Sequence, residues 1–251
     1  MSRTLWIGRE PFGAAAWIKA AEGAGWKAKP IALIKREALA LDEAGQTVLQ
    51  QLKANDWLML TSSGAVRYGL ENLLPQWPIL AELNLAAVGP GTFGALKRLA
   101  NRLPLLDQAL VADGRGGQAL AQQFLKAQGS GNSSSRPLLW LRAEDPRPEM
   151  KAELEAGGWQ VQSIPVYRTE GIAGGAELPQ SHEPVLLFSP SGGRALRSRV
   201  ANPAEQHVIA LGSSTAGAAE ELGFCLDGVL DLPKPVCLAE YLAGLAADGT
   251  H

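Results

Sequence analysis

The chain has 251 residues, of which 46% are hydrophobic and 19% charged, with a formal net charge of −2. A domain averages roughly 150 residues, so two domains are favoured over one, and a near-neutral chain has no global field to gather nucleic acid, so any anion must be collected locally. The two cysteines, Cys225 and Cys237, lack Cys-x-x-Cys spacing and a histidine nearby in sequence; this excludes a disulfide framework or a signalled zinc site, so both read as small core residues and no metal is expected.

The elements follow in chain order. TLWIGREPFGAAAWIKAAEGAGWKAKPIALIKRE, from Thr4, reads as strand, turn, helix, Gly25-Trp26 and a second strand. Its charges sit where a secretory signal would need an unbroken apolar run, and no later run is long enough to span a bilayer, so a cytoplasmic address is expected. Apolar runs at Trp57 to Leu60, Leu85 to Val88, Leu138 to Leu141, Val185 to Phe188 and Val208 to Leu211 alternate with Ala/Leu/Glu-rich segments of helical period. This alternation predicts parallel sheets wound with helices. GSGNSSS, Gly129 to Ser135, is a low-complexity run expected to be a surface loop without function.

The pieces recur in order. WLMLTSSGAV from Trp57 pairs with LLFSPSGG from Leu186, and AAVGPGTFGAL from Ala86 with IALGSSTAGAA from Ile209. ALVADGRGGQALA from Ala109 pairs with GVLDLPKPVCLAE from Gly228, and the stretch from Leu138 pairs with that from Thr4, sharing Gly-Trp at 25 and 158. The last piece of the second copy therefore sits at the N-terminus. The expectation is an α/β protein of two similar, flavodoxin-like lobes, one discontinuous (residues 1–36 and 171–251) with the other (38–167) inserted into it. The chain would cross near Lys35 to Ala38 and Arg168 to Gly174, forming a two-stranded linker with a cleft beside it.

Ligands of wound parallel sheets sit outside the carboxyl ends of the strands, where helix N-termini present free N–H groups. Both copies place small polar residues there: Thr61, Ser62, Ser63 and Gly64; Gly89, Pro90, Gly91 and Thr92; Ser189, Pro190, Ser191 and Gly192; Gly212, Ser213, Ser214 and Thr215. Any one such turn is explained by helix capping alone; their recurrence in both copies favours binding of carboxylate or phosphate. Arg9 and Arg142 follow equivalent strands and are candidates for pairing with carboxylates, whereas Lys97 and Arg98 read as solvated. His182, His207 and His251 are scattered and read as surface or packing residues.

Gly89 to Gly94 also matches Gly-x-Gly-x-x-Gly, with Asp113 at the end of the next strand, as in dinucleotide-binding proteins. The motif lies in the second strand-turn-helix of its lobe, and its partner GSSTAG replaces the middle glycine by Ser214, so the glycines read as architectural. No Ser-His-Asp order, zinc-protease helix or phosphate loop is present.

With these motifs in their order, together with Val166-Tyr167-Arg168-Thr169, the whole chain resembles the uroporphyrinogen-III synthase family. The resemblance implies two α/β lobes with a two-stranded linker and a cofactor-free enzyme. Its substrate would be linear hydroxymethylbilane, closed with loss of water and inversion of the last pyrrole ring. It further implies substrate held chiefly by backbone amides and small polar side chains, and a chemical role for Tyr167. A monomer without nucleic-acid or membrane partners is expected. The competing readings are a non-catalytic two-lobed anion binder and a dinucleotide-dependent oxidoreductase.

Overall fold

Short apolar runs separated by helix-forming segments give strand and helix in alternation along the whole chain. The computed structural model describes residues 3–112, 116–129, 137–174 and 177–248; Asp113 and residues 130–135 of the low-complexity run lie outside them. In order come β1 (Thr4–Ile7), α1 (Pro11–Gly23), β2 (Lys27–Pro30), β3 (Ile34–Ala38), α2 (Glu43–Gln51) and β4 (Trp57–Leu60). A π-helical segment, Ala65–Leu70, then runs into the short α3 (Glu71–Leu73), followed by β5 (Asn84–Val88), α4 (Gly89–Lys97), β6 (Leu110–Ala112), α5 (Gly117–Gln128), β7 (Leu138–Ala143), α6 (Glu149–Ala156) and β8 (Val161–Gly171). The chain ends with β9 (Val185–Leu187), α7 (Pro190–Arg197), β10 (His207–Leu211), α8 (Ser213–Glu221), β11 (Cys225–Leu230) and α9 (Pro235–Asp248).

Two units result: a split unit, Met1–Lys35 with Glu170–His251, and an inserted unit, Arg36–Thr169. The split unit's sheet runs β11-β10-β9-β1-β2, parallel throughout. The inserted unit's sheet runs β3-β8-β7-β4-β5-β6, parallel from β8 to β6. At its edge β3 is antiparallel to β8, because Leu39 N–H donates to Val166 O while Ile172 N–H donates to Leu33 O. Counted in chain order, the split sheet reads 2-1-3-4-5, the flavodoxin order, and the inserted parallel strands read 3-2-1-4-5. These are one arrangement entered at different strands: β9, β10, β11, β1 and β2 take the places of β4 to β8.

Strands buried on both faces explain the near-continuous apolar runs. In the inserted unit Leu58, Leu60, Leu139 and Leu141 join one core and Met59, Leu138 and Trp140 the other. In the split unit Leu5, Ile7, Leu186 and Ile209 face one core and Trp6, Val185, Leu187 and Val208 the other. Three helices end the same way before the next strand, at Gly25 (φ 82°), Gly158 (φ 84°) and Gly223 (φ 81°). In each the following aromatic residue bonds back into the helix, Trp26 N–H to Ala21 O, Trp159 N–H to Leu154 O and Phe224 N–H to Ala219 O. A side chain on the left-handed residue would cost about 1–2 kcal/mol, so glycine is required there.

Both passages between units run through β3 and β8. Lys35 Nζ lies 3.0 Å from Glu170 Oε2, and Arg168 Nη2 lies 3.0 Å from Glu37 Oε2. Both ion pairs are substantially exposed, so they align the two strands more than they stabilise them.

Candidate active site

β4 delivers Thr61 and Ser62 to the carboxyl edge of the inserted sheet. Ser62 Oγ accepts from Ala65 N–H at 3.1 Å, capping the π-helical segment, and lies 3.0 Å from the Tyr167 hydroxyl. Tyr167 comes from β8, and a break in register brings it there. Arg142 pairs with Pro165 but Ala143 with Tyr167, leaving Val166 as an extra residue. In a regular strand consecutive side chains face opposite ways; across this bulge Val166 and Tyr167 both join the core beneath the π-helical segment. The fit is tight, since a Cβ on Gly64 would stand 2.8 Å from Tyr167 Cζ and one on Gly69 would press on Val166. Tyr68 stacks on Tyr167, with ring centroids 5.9 Å apart. Sequence reading singled out Ser62, Gly64 and Tyr167 but missed Tyr68, Gly69 and the bulge.

Thr61 Oγ1 accepts from Trp140 Nε1 at 3.3 Å, tying β4 to β7, and Ser63 is exposed. Arg142 is committed to its own turn and to β8: Nη1 donates to Ala143 O and Glu144 O, each at 2.8 Å, and Nε donates to Ser163 Oγ on β8. At the start of α4, Gly89 needs its positive φ of 65°, Pro90 and Gly91 are exposed, and Thr92 is buried. Sequence reading called all these glycines architectural, and for Gly91 and Gly94 the structure corrects this. A Cβ on either would meet nothing within 4 Å. The dinucleotide fingerprint needs its third glycine for close helix–strand packing, and Gly94 makes no such approach.

The split unit repeats the pattern with other partners. Ser189 caps α7 by accepting from Gly192 N–H at 3.2 Å, and its Oγ lies 3.0 Å from Ser191 Oγ. Pro190 occupies the first helical turn. Gly212, at φ 78°, precedes α8, whose first residues Ser213 and Ser214 are exposed while Thr215 is buried. Arg9 follows β1 with its guanidinium 4.1 Å from the Phe188 ring centroid, so this cation rests on an aromatic face at the end of β9. Thr92 and Thr215, both offered by the sequence as ligand hydroxyls, are packed within their own units.

Acidic residues are favoured in a helix's first turn because they offset the positive end of the macrodipole. α4, α7 and α8 carry none there, and the residues preceding them are Val88, Ser189 and Gly212. Those N-termini are left to attract an anion. Two wound parallel sheets, each in its own unit and each followed by helices whose first turns carry no acid, define an α/β protein whose helix N-termini favour negative groups.

Comparison with known proteins narrows that class. The chain belongs to the uroporphyrinogen-III synthase family: the family described as uroporphyrinogen-III synthase HemD matches residues 15–235. A crystal structure of a mutant uroporphyrinogen III synthase from the extreme thermophile Thermus thermophilus aligns with TM-score 0.62 at 17% identity, covering 98% of this chain and 100% of that one. Uroporphyrinogen-III synthetase from Helicobacter pylori aligns with TM-score 0.59 at 16% identity, covering 99% of both chains. No curated protein sequence matches. Family and fold together make the chain a cyclase of tetrapyrrole biosynthesis. Among the described residues no helix is long and apolar enough to cross a membrane.

Proposed function

We propose that the chain closes linear hydroxymethylbilane, that in each unit the N–H groups opening its helices (α4 in the inserted unit, α7 and α8 in the split unit) can receive a carboxylate, and that Tyr167 assists departure of the terminal hydroxyl. The reading is supported by the family match together with the helix starts of α4, α7 and α8, which, like those of α1, α5 and α9, carry no acid in their first turn. The substrate's acetate and propionate groups are the anions such ends receive, with exposed Pro90, Gly91, Ser213 and Ser214 leaving their backbones approachable.

Ser62 Oγ already accepts from Ala65 N–H. When it donates its own proton to Tyr167, the phenol keeps its O–H for the substrate's leaving oxygen. That hydroxyl leaves as water, giving an azafulvene. Its carbon bonds to the substituted position of the last ring, and the spiro intermediate rearranges with that ring inverted. Uncatalysed closure gives the uninverted product, so the protein's contribution is chiefly to hold the chain ends in the inverting geometry. The substrate brings its own electrophile and leaving group, so the reading requires no cofactor, and it assigns a monomeric enzyme of the cytoplasm.

Freshly prepared hydroxymethylbilane supplied to the purified chain tests it, with the porphyrin isomers resolved after oxidation. Type III in excess is the expected result. Type I alone, at the rate of the protein-free control, would reject the reading.

A further inference from the structure

Sequence spacing hides a second cluster, at the opposite end of the split unit's sheet. His207 opens β10 and Cys225 opens β11, and the two are direct partners in the parallel ladder. The register then slips, because Val208 pairs with Leu226 but Ile209 with Gly228, so Asp227 is an extra residue on β11. Such a bulge re-aims a side chain, and here the Asp227 carboxylate stands 2.7 Å from His207 Nδ1. Gly228, next along, is held under the Tyr241 hydroxyl, which donates to Asp227 O at 2.8 Å. Imidazole nitrogen, thiol sulfur and carboxylate oxygen all lie within 4.8 Å of one another. Cys225, read from sequence as a core residue far from any histidine, is half-buried and faces one.

We propose that His207, Cys225 and Asp227 bind a divalent cation of the zinc class. Tetrahedral zinc, with bonds of about 2.0–2.3 Å, sets its donors about 3.3–3.6 Å apart, so closing this trio takes roughly 1 Å of side-chain movement. Mixed nitrogen, sulfur and oxygen donors favour zinc or cobalt over calcium or magnesium, which take oxygen alone. A cavity of about 430 Å³, lined by His207 and Asp227 and also by His182 and Glu183, gives the ion an entry path and space for water as fourth ligand. On binding, the Cys225 thiol ionises and releases its proton to solvent, while His207 coordinates as neutral imidazole. The ion would clamp the first residues of β10 and β11 at the sheet edge, a structural role apart from the helix starts at the carboxyl ends.

Cobalt(II), titrated into the metal-free protein, tests the assignment. One equivalent should produce a sulfur-to-cobalt charge-transfer band that zinc competes away. Cys225→Ser should abolish the band, Cys237→Ser should leave it unchanged, and Asp227→Asn, which keeps the hydrogen-bonding shape, should weaken binding by about tenfold or more. Zinc should also raise the melting temperature of the wild-type chain and not that of Cys225→Ser. No band at millimolar cobalt, or a band that survives Cys225→Ser, would overturn the site.

Discussion

The turn after β4 and the turn after β9 begin with the same device and end in different helices. In each, a serine hydroxyl accepts the N–H three residues on, Ser62 from Ala65 and Ser189 from Gly192. After Ser189 the chain forms a regular α-helix; after Ser62 it forms π-helical turns. The position before the capped N–H is Ser191 in one and Gly64 in the other. Ser191 has room to reach Ser189, whereas the space beside Gly64 is filled by the Tyr167 ring. In the split unit Leu33 comes near the next residue of the turn, its Cδ1 4.0 Å from a Cβ on Gly192, and it brings no hydroxyl. What separates a capped helix from a candidate catalytic corner is therefore the neighbouring strand. β8 supplies a hydroxyl through its bulge, and the stretch after β2 supplies none.

Removing that hydroxyl should break the comparison most sharply. Tyr167→Phe is expected to slow inverting cyclisation by about a hundredfold with the melting temperature little changed; unaltered turnover in a steady-state isomer assay would make Tyr167 a packing residue. Exchanging the equivalent residues comes next. Gly64→Ser forces a side chain into the ring and should destabilise by about 1–3 kcal/mol in chemical denaturation, while Ser191→Gly, which crowds nothing, should cost well under that. Ser62→Ala and Ser189→Ala each lose a cap worth about 1 kcal/mol, but only Ser62→Ala should also reduce turnover.

The smallest effect belongs to the split unit alone. Burial raises the Glu183 carboxyl, yet hydrogen bonds from Trp6 Nε1, Gln180 N–H and Thr4, with the Lys29 charge, outweigh it and hold its pKa below the ordinary value. A depressed carboxylate stabilises above its unfolded pKa and loses that contribution as pH falls through the folded value. Glu183→Gln should lower the melting temperature by about 1–3 °C at neutral pH, and the gap should close in acid if scans are repeated there.

Much of this was legible because repeated backbone demands leave repeated letters. Gly25-Trp26 and Gly158-Trp159 mark helix ends needing a left-handed residue followed by an apolar one, and Gly89 and Gly212 mark turns of positive φ. The π-helical segment was not legible, since AVRYGL has no local signal for it and close packing by Val166 and Tyr167 accompanies it. The two bulges were hidden for a similar reason: register is set by a partner strand, and a one-residue slip alters which face every later side chain takes. His207 and Cys225 meet only because β10 and β11 are neighbours, which spacing along the chain cannot express.

The shared sheet arrangement, entered at different strands, also has a consequence for biosynthesis on the ribosome. β1 pairs with β9 through Trp6 and Val185, so the first segment emerges long before its partner exists. At 5–20 residues per second the wait is roughly 10 to 35 s. During that interval the inserted unit can complete its own sheet, while Leu5, Ile7 and Trp17, buried in the finished protein, still lack Leu186, Ile209, Leu230, Leu238 and Leu242 of their core. Until Val185 is made, β1 can pair with β2 alone, and the sheet of the split unit is completed last.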